Sequence, residues 1–267
     1  VPLAEKKRAE NVMTKGKTKK ASQELQPERN SRPGLLLAFV VLYVIVVLGI
    51  DALAALQVSW PFDWTVFQWR PDDCWRLLSL DPPLWTRTSA LRSFDLFKFL
   101  FWLVVPFCCC LRRMEWPWFS MRSWKRNDWI LLAVFLAGSA VAVLSIRYIP
   151  SLRRAYPGMS HLPWAVRGTR GLTALVWTAS WLVGWEFLHR YVLLRTASAR
   201  FPRVGWLLVP LSEVLYHLQK PMLEAAGMGL FSLVLTWWSL KRRNVLLPFL
   251  IHLYIELLLI AALILVL

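Results

Sequence analysis

Three apolar runs in the last hundred residues each carry an ionisable pair one helical turn apart. They are Glu186 with Arg190, Glu213 with His217, and His252 with Glu256. An i, i+4 spacing puts both members of a pair on one face of a helix. Ionisable groups at membrane depth cost roughly 2.5–3.5 kcal/mol each even on the gentler insertion scale. Three such pairs therefore need a shared polar interior. A Glu in low dielectric resists ionisation and a neighbouring Arg restores it, leaving a carboxylate able to take a proton from water near neutral pH. A His on another helix can position that water, and a second can stabilise a developing oxyanion. This inventory suits amide hydrolysis without a serine or cysteine nucleophile.

The elements that must hold these groups read as membrane helices. The chain is 57% hydrophobic, with a mean hydropathy of +0.45, against about 45–50% for a soluble domain. Seventeen Trp suit a protein with much interfacial surface. The net charge of +16 sits in the first residues and in the joints between apolar runs, which excludes a nucleic-acid reading and fits topology signals. Four cysteines, three of them consecutive (Cys108 to Cys110), give neither a disulfide framework nor a metal spacing.

Taken in order, residues 1–33 read as a disordered basic cytoplasmic tail that is not a signal peptide. Residues 34–170 hold N-terminal spans at about 35–56, 94–111 and 129–149, with a Trp-rich connection after the first. Residues 171–267 hold runs at about 171–194, 204–218, 222–240 and 246–267. The expected fold is an all-α polytopic membrane protein of about seven transmembrane helices, with a four-helix core at the C-terminal end. Basic residues in the tail, in 112–126, in 195–203 and at Lys241 to Arg243 place the N-terminus in the cytoplasm. Four arginines between residues 150 and 170 oppose that pattern, which leaves room for a re-entrant segment or a missed helix. Counted from the basic ends at 1.5 Å per residue, Glu186, Glu213, His252 and Glu256 fall about 10–16 Å deep, and His217 about 21 Å. Asp51, near the outer end of the first span, is expected to meet water.

The order of these motifs resembles the CAAX-protease and bacteriocin-processing (CPBP, or Abi) family of intramembrane proteases. That family carries E-E-x-x-x-R, F-x-x-x-H and H-x-x-x-N on successive helices. Glu186 and Arg190 match the second Glu and the Arg, His217 the second motif and His252 the third. The resemblance spans about residues 171–260. Trp185 stands where the family has its first Glu, thought to activate water; Glu213 stands for a Phe, and Glu256 for an Asn. The form W-E-F-L-x-R is shared by some bacterial relatives, as is H-x-x-K-P-x-x-E, here His217, Lys220, Pro221 and Glu224.

The resemblance implies an endopeptidase of the cell membrane acting on a membrane-protein or lipidated-protein substrate. Glu186, His217 and His252 would be catalytic, supported by Arg190, Glu213, Glu256, Lys220 and Glu224. No cofactor or metal is expected. Glu186 ranks first as base and Glu213 second, with Glu224 or Glu256 as relocated carboxylates. Two alternatives stand beside this reading. One is a zinc-dependent version, since two His and a Glu suit a metal. The other is an inactive relative serving as a membrane scaffold or immunity factor, because Trp185 replaces the leading Glu. Oligomeric state, substrate and prenyl recognition are not legible in the sequence.

Overall fold

The computed structural model describes residues 33–81, 83 and 89–267. The expected basic tail lies outside the described residues, apart from Pro33. Every regular element among the described residues is helical.

The first helix, α1, runs Pro33–Ala55, about 35 Å at 1.5 Å per residue. Its end is marked by Gln57 in the left-handed region (φ 54°). A short helix α2 (Pro71–Leu77) follows, with Pro at its start and Asp73 accepting from the Arg70 backbone N–H. The aromatic residues of this connection fold back on the next helix: the Trp69 ring lies 5.8 Å from Phe97 and 5.7 Å from Phe101. That helix, α3, covers residues 96–110 and is widened to a π-helix over Phe99–Val104. Next come α4 (Arg126–Ser145) and a short α5 (Pro150–Ala155).

The long helix α6 covers residues 164–200. It is α-helical over Trp164–Glu186, π-helical over Phe187–Leu193, and α-helical again to Arg200. It begins well before Gly171, so two of the four arginines that opposed the charge pattern, Arg167 and Arg170, lie on its first turns. The remaining helices are α7 (Leu208–His217), α8 (Met222–Arg242) and α9 (Leu246–Leu265). The α8–α9 turn passes through Arg243 at φ 50°. Asn244 closes it: its side-chain oxygen accepts from the Leu246 N–H, and its amide donates to the Ser120 carbonyl.

Helix α6 is the central element. Trp181, Leu182, Trp185, Leu188, Tyr191 and Leu194 on it are buried in one core with Val40 and Val44 of α1 and Trp102 of α3. Gly184 lets α3 approach this closely, because a Cβ there would stand 2.9 Å from the Trp102 Cβ. Helices α7 and α8 pack as a hairpin, and α9 packs between α4 and α6.

Of the seven expected spans, four helices have the length and hydropathy to cross a bilayer: 34–55, 126–148, 222–242 and 246–265. Helix α7 has ten residues, about 15 Å of rise, or half a hydrocarbon core. Helix α3 is also too short, and α6 carries Glu186, His189 and Arg190 within its apolar part. Polytopic α-helical membrane architecture therefore holds, with a span count below the expected seven by this measure. Asp51 also departs from expectation. It is buried (7% exposed), with the Lys98 ammonium at 3.3 Å and the Tyr216 hydroxyl donating to it. A lone cation in the next apolar run supplies the counter-charge that burial requires.

Candidate active site

The site is built on the π-helical stretch of α6 and the faces of α7, α8 and α9 turned toward it. Arg190, fully buried, is its electrostatic centre. Its Nη1 donates to Glu186 Oε2 at 2.7 Å and to Glu213 Oε1 at 2.9 Å, and its Nη2 donates to Glu213 Oε2 at 3.1 Å. One guanidinium thus ties α6 to α7 through a two-pronged contact, the geometry that Arg provides and Lys does not. The other oxygen of Glu186 accepts from His252 Nδ1 of α9 at 2.7 Å. Four of the eight sequence-selected residues therefore form one continuous buried chain, Glu213–Arg190–Glu186–His252.

His217 is held differently. Its Nδ1–H donates to the Glu213 backbone carbonyl at 2.8 Å. Because a carbonyl or a carboxylate can only accept, both His217 and His252 are anchored through Nδ1–H, which leaves each Nε2 for other chemistry. His189 is anchored likewise, to the Trp185 carbonyl at 2.9 Å, but its ring is fully buried and packs on Trp185 at 4.2 Å. It is a packing and hydrogen-bonding residue.

In front of the histidines lies a cavity of about 850 Å³ between α4, α8 and α9. His217, His252, Glu224, Glu256 and Tyr156 line its polar end. Residues such as Val134, Phe135 and Leu230 make the rest apolar. Gly138 of α4 and Gly227 of α8 also lie on the wall, and a Cβ at either would meet nothing within 4 Å. Glu186 and Glu213 do not line this cavity. Glu186 is 2% exposed and Glu213 fully buried, and all four of their carboxylate oxygens are hydrogen-bonded. Trp185, at the position of the leading Glu, is also buried, its ring 5.8 Å from His217.

Two carboxylates face the cavity. Glu256 places Oε1 4.0 Å from His252 Nε2 and accepts from Thr178 at 3.5 Å. Glu224 accepts from the Tyr156 hydroxyl at 2.7 Å. Lys220 is exposed, with Nζ 5.6 Å from the centre of the Tyr156 ring. Burial, and then the Glu224 carboxylate, hold the Tyr156 phenol far above its ordinary pKa, so it remains a donor. Tyr156 and Thr178 were not selected from sequence. Neither sits in a motif, and Tyr156 is 68 residues from its partner.

Residues 170–258 match the protein-family model described as Rce1-like, type II CAAX prenyl endopeptidase. The matched segment runs from α6 to α9 and holds every ionisable residue of the site except Tyr156. Residues 170–258 are thus similar to the CAAX-protease family. No curated protein and no solved structure is significantly similar to the chain. Among the described residues, no three His, Cys, Asp or Glu side chains converge as a metal-ligand group.

Proposed function

We propose that the protein is an intramembrane endopeptidase that hydrolyses a peptide bond in a membrane-associated protein, using water activated by a glutamate and two histidines. The observation that carries this reading is the convergence of His217 and His252, from two helices, on one cavity that also holds carboxylates. Each histidine presents Nε2 because its Nδ1 is fixed from behind, the arrangement by which an acid–base imidazole is oriented in hydrolases. Glu186 backs His252 in this scheme and Arg190 backs Glu186, so both are positioning residues. The apolar walls of the cavity suit a substrate that arrives from the bilayer, and the family is one whose substrates are membrane-associated, prenylated proteins. Whether a prenyl group is recognised here is part of the same test.

In cells making the full chain, new N-termini of membrane proteins should appear that are missing in cells making His252→Ala, with turnover reduced on the order of 10²–10³-fold, the usual cost of losing one oxyanion donor. Equal termini in both would sink the reading. A second reading is favoured by one feature: Trp185 fills the position of the leading Glu and is buried there. An inactive scaffold would give no new termini with the wild-type chain, yet would still co-purify with a membrane partner. A zinc-dependent protease is distinguished by stoichiometric metal in the purified chain, lost together with activity on chelation.

A further inference from the structure

We propose that Glu224, on the first turn of α8, is the carboxylate that activates the hydrolytic water, taking over the role that Trp185 on α6 cannot fill. This inference rests on the protease reading given above and specifies its base.

A general base must be within reach of the water whose proton it takes. Among the described residues, Glu224 and Glu256 are the carboxylates lining the cavity that holds His217 and His252. Glu186 and Glu213, the two expected from the motifs, spend every oxygen on Arg190 or His252 and lie outside that cavity.

Between the two candidates the surroundings differ. Glu224 sits in the first turn of a 21-residue helix, where the peptide dipoles favour negative charge. Tyr156 donates to its Oε1 from the other wall. Its Oε2 is buried and has no hydrogen-bond partner among the described residues. Buried polar oxygens in native proteins are nearly always paired, and this one keeps its acceptor capacity free. Glu224 is also within electrostatic reach of both His217 and Glu256. Glu256, in contrast, lies in the middle of α9, where the dipole gives no help, and already faces His252 and Thr178.

The step balances with the residues in place. Water loses a proton to Glu224 Oε2 as its oxygen bonds to the scissile carbonyl carbon, and the carbonyl π pair moves onto its oxygen. The oxyanion is met by a protonated imidazole at Nε2, His252 being backed by Glu186 at Nδ1. When the oxyanion collapses, the carbon–nitrogen bond breaks and Glu224 returns its proton to the leaving nitrogen. Water is consumed, one carboxyl and one amine are formed, and Glu224 ends as it began.

The test uses the full chain in membranes of the cells that make it, with new N-termini of endogenous membrane proteins quantified by mass spectrometry. Glu224→Gln should lower their rate of formation by at least about 10²-fold, the lower end for loss of a general base, with its thermal melt in detergent close to wild type. Glu224→Asp, which keeps a shorter carboxylate, should recover part of the rate and guards against a folding defect in the Gln variant. Glu256→Gln should lose about 10-fold or less. Wild-type rates in Glu224→Gln would overturn the assignment while leaving the protease reading intact. Loss confined to Glu256→Gln would transfer the base to α9 and overturn it equally. An absence of any new termini with the wild-type chain would overturn the protease reading and this inference with it.

Discussion

At the scale of single residues, Arg190 is the group whose removal the site tolerates least. It neutralises two carboxylates that have no water to turn to: the side chains of Arg190 and Glu213 are fully buried and that of Glu186 is 3% exposed. Breaking a buried ion pair by deleting one partner costs about 3–5 kcal/mol, because the remaining charge is stranded. Arg190→Ala is therefore expected to lower the melting temperature in detergent as well as turnover. Arg190→Lys should recover only part of both, since one ammonium cannot reproduce the two parallel contacts to Glu213. A melting temperature unchanged in Arg190→Ala would show that the chain Glu213–Arg190–Glu186–His252 does not hold the helices together.

At the scale of elements, glycines report which helix pairs touch and which leave room. Gly184 sits where α6 meets α3, and an added Cβ would come within 2.9 Å of the Trp102 Cβ and 3.0 Å of its backbone carbon. Both atoms are fixed close to the α3 backbone, so relief requires moving a helix. Gly227 on α8 faces the cavity, where the same Cβ meets nothing within 4 Å. The same substitution should then act in opposite directions. Gly184→Ala is expected to destabilise by about 1–3 kcal/mol through overpacking. Gly227→Ala is expected to stabilise by up to about 1 kcal/mol, the helix-propensity gain. Thermal melts of the two variants beside wild type check this, and a destabilised Gly227→Ala would mean that the cavity wall is closed rather than open. The π-helical stretch Phe187–Leu193 of α6 follows directly after Glu186, and such stretches gather at functional sites; it carries Arg190 and His189 into the core.

For the whole molecule, the cysteines make natural reporters of topology. Cys74 is exposed in the connection between α1 and α3, whereas Cys108 and Cys109 are exposed at the far end of α3, beside Arg112 and Arg113. With the basic joint after α3 in the cytoplasm, a membrane-impermeant maleimide should label Cys108 and Cys109 only after permeabilisation. Labelling of this pair in intact cells would invert the chain in the bilayer. Much of this molecule was legible in one dimension. Composition and run length specify apolar helices, since a bilayer admits only chains that satisfy their own backbone hydrogen bonds. The i, i+4 spacings select Glu186, Arg190, Glu213, His217, His252 and Glu256, because that periodicity is a property of the helix itself, and the family resemblance adds Glu224. What the spacing does not contain is the rotation of each helix about its axis and its distance from its neighbours. Those follow from packing, as where Gly184 admits Trp102. They turn Glu186 and Glu213 inward onto Arg190, bring Glu224 to Tyr156 across 68 residues and Glu186 to His252 across 66, and pair Asp51 with Lys98. The sequence by itself therefore determined which ionisable groups lie on the apolar helices, while only the tertiary structure decided which of them face the cavity and which are consumed in holding it, because a side chain's partners across helices depend on contacts that no local periodicity encodes.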